Sequence, residues 1–185
     1  MTNAKLLTKE NIKDVYTLSP VQEGILFHSL LEEDSTYFQQ AAFRLRGELN
    51  VNHVQETLQE LVNRHEVLRT IFKYEGLDEP LQIALKEWSA DFIYRDLRHL
   101  TNAGEQQEFL NEFRKADREK LFDLRKDALM RLAVLQLADD EHELLWSHHH
   151  IIMDGWCLNI LLSEFFEIYN SKQEQRPAEK CRGGE

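Results

Sequence analysis

The chain has 185 residues, 22 basic and 33 acidic, for a formal charge of −11 with histidine neutral. At 42% hydrophobic and 10% aromatic residues it can close a core, which excludes a wholly disordered chain, and its acidic excess argues against nucleic acid, whose phosphates are held by Lys and Arg. Two cysteines, Cys157 and Cys181, supply neither a disulfide framework nor paired zinc spacing; with no apolar run near the ~18 residues of a membrane span and no signal core in Met1 to Glu10, the expectation is a soluble, reduced, cytoplasmic protein that does not engage a membrane.

Residues 1–14 are polar and are expected to be an arm leading into the first helix, a candidate subunit-docking segment. Ser19, Pro20 and Gln22 spell a helix start: a capping hydroxyl, a proline where its missing N–H is harmless, and a side chain that reaches back to close a capping box. Val21, Ile25, Leu26 and Leu30 form the expected apolar stripe. Tyr37 to Leu45 suits a strand. A second helix is expected with Asn52 as its cap and Val54, Leu58, Leu61 and Val62 inward. Thr70 to Tyr74 and Leu81 to Leu85 read as a hairpin, and Phe92 to Tyr94 as a short strand. Ala103 to about Lys120 is a charged amphipathic helix, its acidic residues read as a solvated face. Met130 to Leu137 and Leu144 to Ser147 pair across the turn at Asp139 to Glu141. From near Gly155 a last helix carries apolar residues on nearly every side, which predicts deep burial. Residues 15–170 thus read as one α+β lobe, a mixed sheet flanked by helices. The polar stretch 171–185 is expected to be disordered or foreign to the natural protein.

Three of the eight histidines stand together, His148, His149 and His150, and are followed by Ile151, Ile152, Met153, Asp154 and Gly155. A strand ending in histidine sets an imidazole where sheet meets loop, and imidazole needs the least tuning to act as a base near neutrality. A metal centre is disfavoured, because strand alternation puts only His148 and His150 on one face and no paired carboxylate lies nearby in sequence. His149 is then a packed core histidine. Trp156 divides evenly between lining a site and filling a core, Cys157 reads as an inert filler, and Arg64, His65 and Glu66 as a structural helix end.

The run from His149 to Gly155 fits His-His-x-x-x-Asp-Gly and resembles the signature of nonribosomal peptide synthetase condensation domains, which are similar in fold and motif to chloramphenicol acetyltransferase. Leu18 to His28 resembles the first core motif of that family and Arg64 to Phe72 the second. The likeness covers residues 12 to 170, the amino-terminal half of such a domain, and implies a single chloramphenicol acetyltransferase-like lobe whose second lobe is missing.

What the resemblance implies is the donor-side half of an amide-forming acyltransferase. The amine of a carrier-bound acceptor attacks a carrier-bound donor thioester, both delivered on phosphopantetheine arms, with no bound cofactor and no metal. His150 either positions or deprotonates that amine. Gly155 allows close approach and offers an N–H to the oxyanion. His149, Asp154 and Arg69 support the site, Asp154 through a salt bridge to Arg69. The expected partners are donor and acceptor carrier proteins, the second lobe and an upstream synthetase subunit, and the lobe alone is expected to be inactive. The first motif together with Trp156 and Cys157 resembles the subclass that takes a D-configured donor. Two other readings stand beside this one: a docking module for an upstream carrier or synthetase, and a freestanding trimeric acyltransferase.

Overall fold

The computed structural model describes residues 8–31 and 35–178. In chain order the elements are β1 (Ile12–Thr17), α1 (Pro20–Leu31), β2 (Phe38–Arg46), α2 (Val51–Arg64), a 3₁₀ turn (Glu66–Arg69), β3 (Thr70–Lys73), β4 (Leu81–Leu85), β5 (Asp91–Asp96), α3 (Ala103–Glu119), β6 (Met130–Ala138), β7 (Glu141–His149) and α4 (Gly155–Gln173). The fold is α+β, as the sequence predicts, with two sheets rather than one. A mixed four-stranded sheet runs in the order β2-β7-β6-β5, and a three-stranded sheet in the order β1-β4-β3. In the larger sheet only β5 and β6 are parallel. The expected β6–β7 and β3–β4 hairpins both form.

Side chains alternate across β7 and so sort to two layers. Trp146 is fully buried against Phe165 of α4, ring centroids 5.9 Å apart and edge to face. Ser147 and Glu143 turn to the other face and bond Asp117 and Arg114 of α3. The main core joins Val54, Leu58, Leu61 and Val62 of α2 with Leu132, Leu144 and Trp146 of the sheet and Leu161, Phe165 and Ile168 of α4. Burying each such leucine or isoleucine contributes about 1.5–3 kcal/mol before conformational entropy is counted.

Several expectations change. The arm is not structureless throughout: Ile12 to Thr17 pairs antiparallel with β4, although five of its six residues face solvent. Alternation cannot reveal such a strand, because its stability comes from the ladder rather than from a buried face. The earlier part of the docking segment, residues 1–7, lies outside the described residues, as does Cys181. At the other end α4 continues to Gln173, so the lobe extends beyond residue 170. Asn50, not Asn52, caps α2, its side chain accepting from the N–H groups of Asn52 and His53.

The α1 capping box is present: the Gln22 N–H donates to Ser19 Oγ at 3.3 Å, and the Ser19 N–H to Gln22 Oε1 at 3.0 Å. Its stripe is narrower than expected, however. Ile25 and Leu26 are buried, whereas Val21, Phe27, Leu30 and Leu31 are exposed. Helix α4 is likewise covered on one side only, with Trp156 81% and Ile160 49% exposed. Trp156 is therefore no core residue of this lobe.

Candidate active site

The site is built at the end of β7. The His149 N–H donates to the Leu129 carbonyl at 2.9 Å, and the His150 N–H to the Tyr37 carbonyl at 2.8 Å. Ile151, Ile152 and Met153 then turn into the core. Gln22 of α1 donates from Nε2 to the Ile151 carbonyl at 3.3 Å, so the first motif braces the signature loop. This brace accounts for the glutamine beyond its part in the cap.

His150 is half-buried. Its Nδ1 lies 2.9 Å from the Met153 carbonyl. A carbonyl only accepts, so Nδ1 carries the proton, and in the neutral ring Nε2 is left with a lone pair for chemistry. His148, His150, Gly155, Leu158 and Gln39 line a cavity of about 120 Å³. The shared face expected for His148 and His150 is thus present.

His149 is buried on the opposite side against Tyr37 and Phe122, with ring centroids 6.2 and 6.5 Å away. Its Nδ1 accepts the Ile151 N–H at 3.2 Å, which makes it a packing residue that holds the turn. Burial, assisted by the neighbouring histidines, holds its pKa down at about 4.

Asp154 and Arg69 do not pair. Arg69 is buried and donates to three backbone carbonyls, Nε to Leu85 at 2.6 Å and Nη1 to Val62 and Asn63 at 2.8 Å each. It closes the end of α2 onto β4. Among the described residues its carboxylate neighbour is Glu66, at 3.9 Å. Asp154 is exposed and caps α4, Oδ1 accepting the Trp156 and Cys157 N–H groups at 3.0 Å each. The reason is local: a carboxylate at a helix start is satisfied by first-turn N–H groups and by the positive end of the helix dipole.

These hydrogen bonds, led by that from Cys157, hold the Asp154 carboxyl below its ordinary value of 3.8. A depressed carboxylate stabilises the fold above its unfolded pKa and loses that contribution as pH falls through the folded value. Asp154→Asn is expected to keep most of the melting temperature and Asp154→Ala to lower it, with the gap between the parent and Asp154→Ala closing in acid; melting curves from about pH 7 to about pH 3 check this.

Gly155 opens α4, and a Cβ built on it would meet nothing within 4 Å. The packing of this lobe therefore does not require glycine there. Its N–H belongs to the first helical turn, where no intrahelical acceptor exists. Cys157 is half-buried, and burial pushes its thiol pKa up, which is the inert character expected of it.

The second motif is structural. Arg64 pairs with Glu60 at 2.6 Å, His65 Nε2 meets Glu164 Oε2 of α4 at 2.7 Å, and Glu66 pairs with Lys13 of β1. Helix α2 is thus tied to α4 on one side and β1 to the 3₁₀ turn on the other.

One group escapes the sequence reading. Asp117, assigned there to a solvated face, has a side chain only 8% exposed. It takes Arg131 Nε at 2.7 Å on Oδ1, and Ser147 Oγ at 2.5 Å and Gln40 Nε2 at 2.8 Å on Oδ2. The Arg131 guanidinium also stacks 4.2 Å from the Phe122 ring centroid. The network clamps β2, β6 and β7 to α3 one residue before His148. An arginine inside the otherwise apolar run Met130 to Leu135 is the signal that points to it, since a buried guanidinium demands a carboxylate.

Among the described residues no helix is long and apolar enough to cross a membrane. Comparison with known proteins matches residues 12–182 to the condensation domain family. The chain is 39% identical over 171 residues to surfactin synthase subunit 3 of Bacillus subtilis (strain 168), covering 92% of this chain and 13% of that protein. It is 39% identical over 170 residues to gramicidin S synthase 2 of Brevibacillus brevis, covering 91% and 4%. In fold it is similar to the starter condensation domain of rhizomide synthetase RzmA, with a TM-score of 0.82, 21% identity, and coverage of 93% of this chain and 41% of that one. The three motifs, the capped helix after the histidines and these matches agree: the chain belongs to the condensation domain family of nonribosomal peptide synthetases and is similar to a small part of each curated relative.

Proposed function

We propose that this segment is the donor-side half of a condensation domain that forms an amide between two carrier-bound groups. The observation that carries the reading is His150, fixed at both its backbone N–H and its Nδ1 so that Nε2 remains free beside a cavity bounded by Gly155. In the reaction the acceptor nitrogen bonds to the donor carbonyl carbon and the carbon–sulfur bond breaks. The ammonium proton leaves through His150 or solvent and ends on the departing phosphopantetheine thiolate. His150 can take that proton on Nε2 and pass it on, or simply hold the amine. Holding alone is a large effect when two reactants are brought together. The first-turn N–H of Gly155 is suited to the oxyanion.

Donor and acceptor carrier proteins are the partners of this reading, and an upstream synthetase subunit supplies the donor. Trp156 and Ile160 on α4, with Val21, Phe27, Leu30 and Leu31 on α1, leave apolar surface on two helices joined to the signature loop. That surface supports a second lobe as the partner that closes over the site. The donor is assigned the D configuration on the resemblance of the first motif and of Trp156-Cys157.

The test is single-turnover amide formation with loaded carriers, run on this chain and on a complete condensation domain that contains it. Product from the complete domain alone, and faster from a D- than an L-aminoacyl donor, is expected. Turnover by the 185-residue chain overturns the requirement for a second lobe. A preference for the L donor removes the stereochemical assignment.

A further inference from the structure

A capping box accepts glutamate or glutamine at its third helical position, and beside the positive end of a helix dipole a carboxylate is the better of the two. At that position α1 carries Gln22, which is half-buried. The cap therefore leaves the choice of an amide unexplained. What an amide has and a carboxylate lacks is a pair of N–H donors.

Both donors are used. Nε2 of Gln22 donates to the Ile151 carbonyl at 3.3 Å and to Oε1 of Gln82, on β4, at 3.2 Å. Its Oε1 accepts the Ser19 N–H at 3.0 Å and Gln82 Nε2 at 3.2 Å, so the two carboxamides bond each other in both directions. Gln82 Nε2 also donates to the Thr17 carbonyl at 3.0 Å. One small polar junction thus joins the end of β1, the start of α1, β4 and the signature loop, and it fixes which way the Gln22 amide faces.

We propose that Gln22, oriented by Gln82, is a positioning residue for His150. The proposal rests on the condensation reading. The loop after His150 is held at one end by the Gln22 bond to Ile151 and at the other by Asp154, which caps α4. Between those two points the Met153 carbonyl takes the His150 Nδ1 proton. Without the Gln22 donors the Ile151 carbonyl is free to turn, the Met153 carbonyl shifts with the loop, and Nε2 of His150 swings out of line with the acceptor amine. Misplacing a reacting group by about 1 Å costs up to about 10²-fold in rate. Gln22 itself touches no substrate and exchanges no proton.

The test uses the complete condensation domain with loaded donor and acceptor carriers, and reads kcat, KM for the acceptor, melting temperature and the resonance of the His150 Nδ1 proton. Gln22→Glu keeps an oxygen for the Ser19 N–H and lacks the donors, whereas Gln22→Met lacks both. Each is expected to lower kcat about tenfold with KM within about twofold of the parent, the pattern of a group that acts on the chemical step. Each is also expected to move the Nδ1 proton resonance. The melting temperature is expected to fall further in Gln22→Met, which alone loses the cap. Parent kcat in a folded Gln22→Glu, or an unmoved Nδ1 resonance, overturns the positioning role and leaves Gln22 as a cap only. Should Gln22→Glu not fold, Gln82→Met decides, because it frees the Gln22 amide to turn and leaves cap and loop unaltered. A lowered kcat with a moved resonance in that variant supports the proposal, and parent values refute it. Full activity in His150→Ala overturns the condensation reading itself.

Discussion

Asp117→Ala is expected to destabilise the lobe by about 3–5 kcal/mol, the cost of stranding one member of a buried ion pair. Arg131 is then left with a 3% exposed side chain and no carboxylate, and both Ser147 Oγ and Gln40 Nε2 lose their shared acceptor. In a domain of this size each kcal/mol moves the melting temperature by about 2–4 °C, so a fall of roughly 10 °C is expected. Arg131→Met with Asp117→Leu in the same chain removes both charges and is expected to recover much of the loss, since a matched apolar replacement is often neutral. Additive losses in the double variant, read by calorimetry, show that the network stabilises through something other than charge pairing.

His150→Ala and His149→Ala are expected to fail in opposite ways. In a complete domain the first is expected to cut amide formation about 10²–10⁴-fold, the range for removing a proton-transferring side chain, with little change in melting. Its ring is half-buried and, among the described residues, bonds the Met153 carbonyl. His149 is packed between Tyr37 and Phe122 and accepts the Ile151 N–H. Its removal is expected to cost on the order of 3 kcal/mol, as for other buried rings, and to lower activity only in proportion to the folded fraction. Single-turnover rates beside melting curves distinguish the two. A silent His150→Ala with an inactive, fully folded His149→Ala reverses the assignments.

How much of this is legible in the sequence depends on whether the deciding contact is local. The Ser19–Gln22 box lies within one helical turn, and the inward stripe of α2 within a single helix, and both follow from spacing. The histidine run can be placed at a strand end because the hairpin before it is closed by a short polar turn. Asp117 is not legible as a buried group, because on α3 it is one acid among several, and its partners come from β2, β6 and β7. The Asp154–Arg69 pairing rests on resemblance, and here helix capping and three backbone carbonyls satisfy the two groups separately. The exposure of Trp156 and Phe27 is hidden for another reason: an apolar pattern has the same spacing whether it meets its own core or another body. For β1 the pattern is too polar to announce a strand.

The pairing of β2 with β7 also governs the order in which the site can be made. Residues 38–46 leave the ribosome well before their partners, residues 141–149, the last strand described. The local β6–β7 hairpin can form as soon as it is synthesised, whereas β2 must wait with its hydrogen-bonding groups unpaired, a long loop to be closed before any ladder is gained. During synthesis the central sheet is therefore completed only when His149 has emerged. The histidine loop is the knot tied last, and a nascent chain halted short of it exposes β2 as a free edge to neighbouring chains.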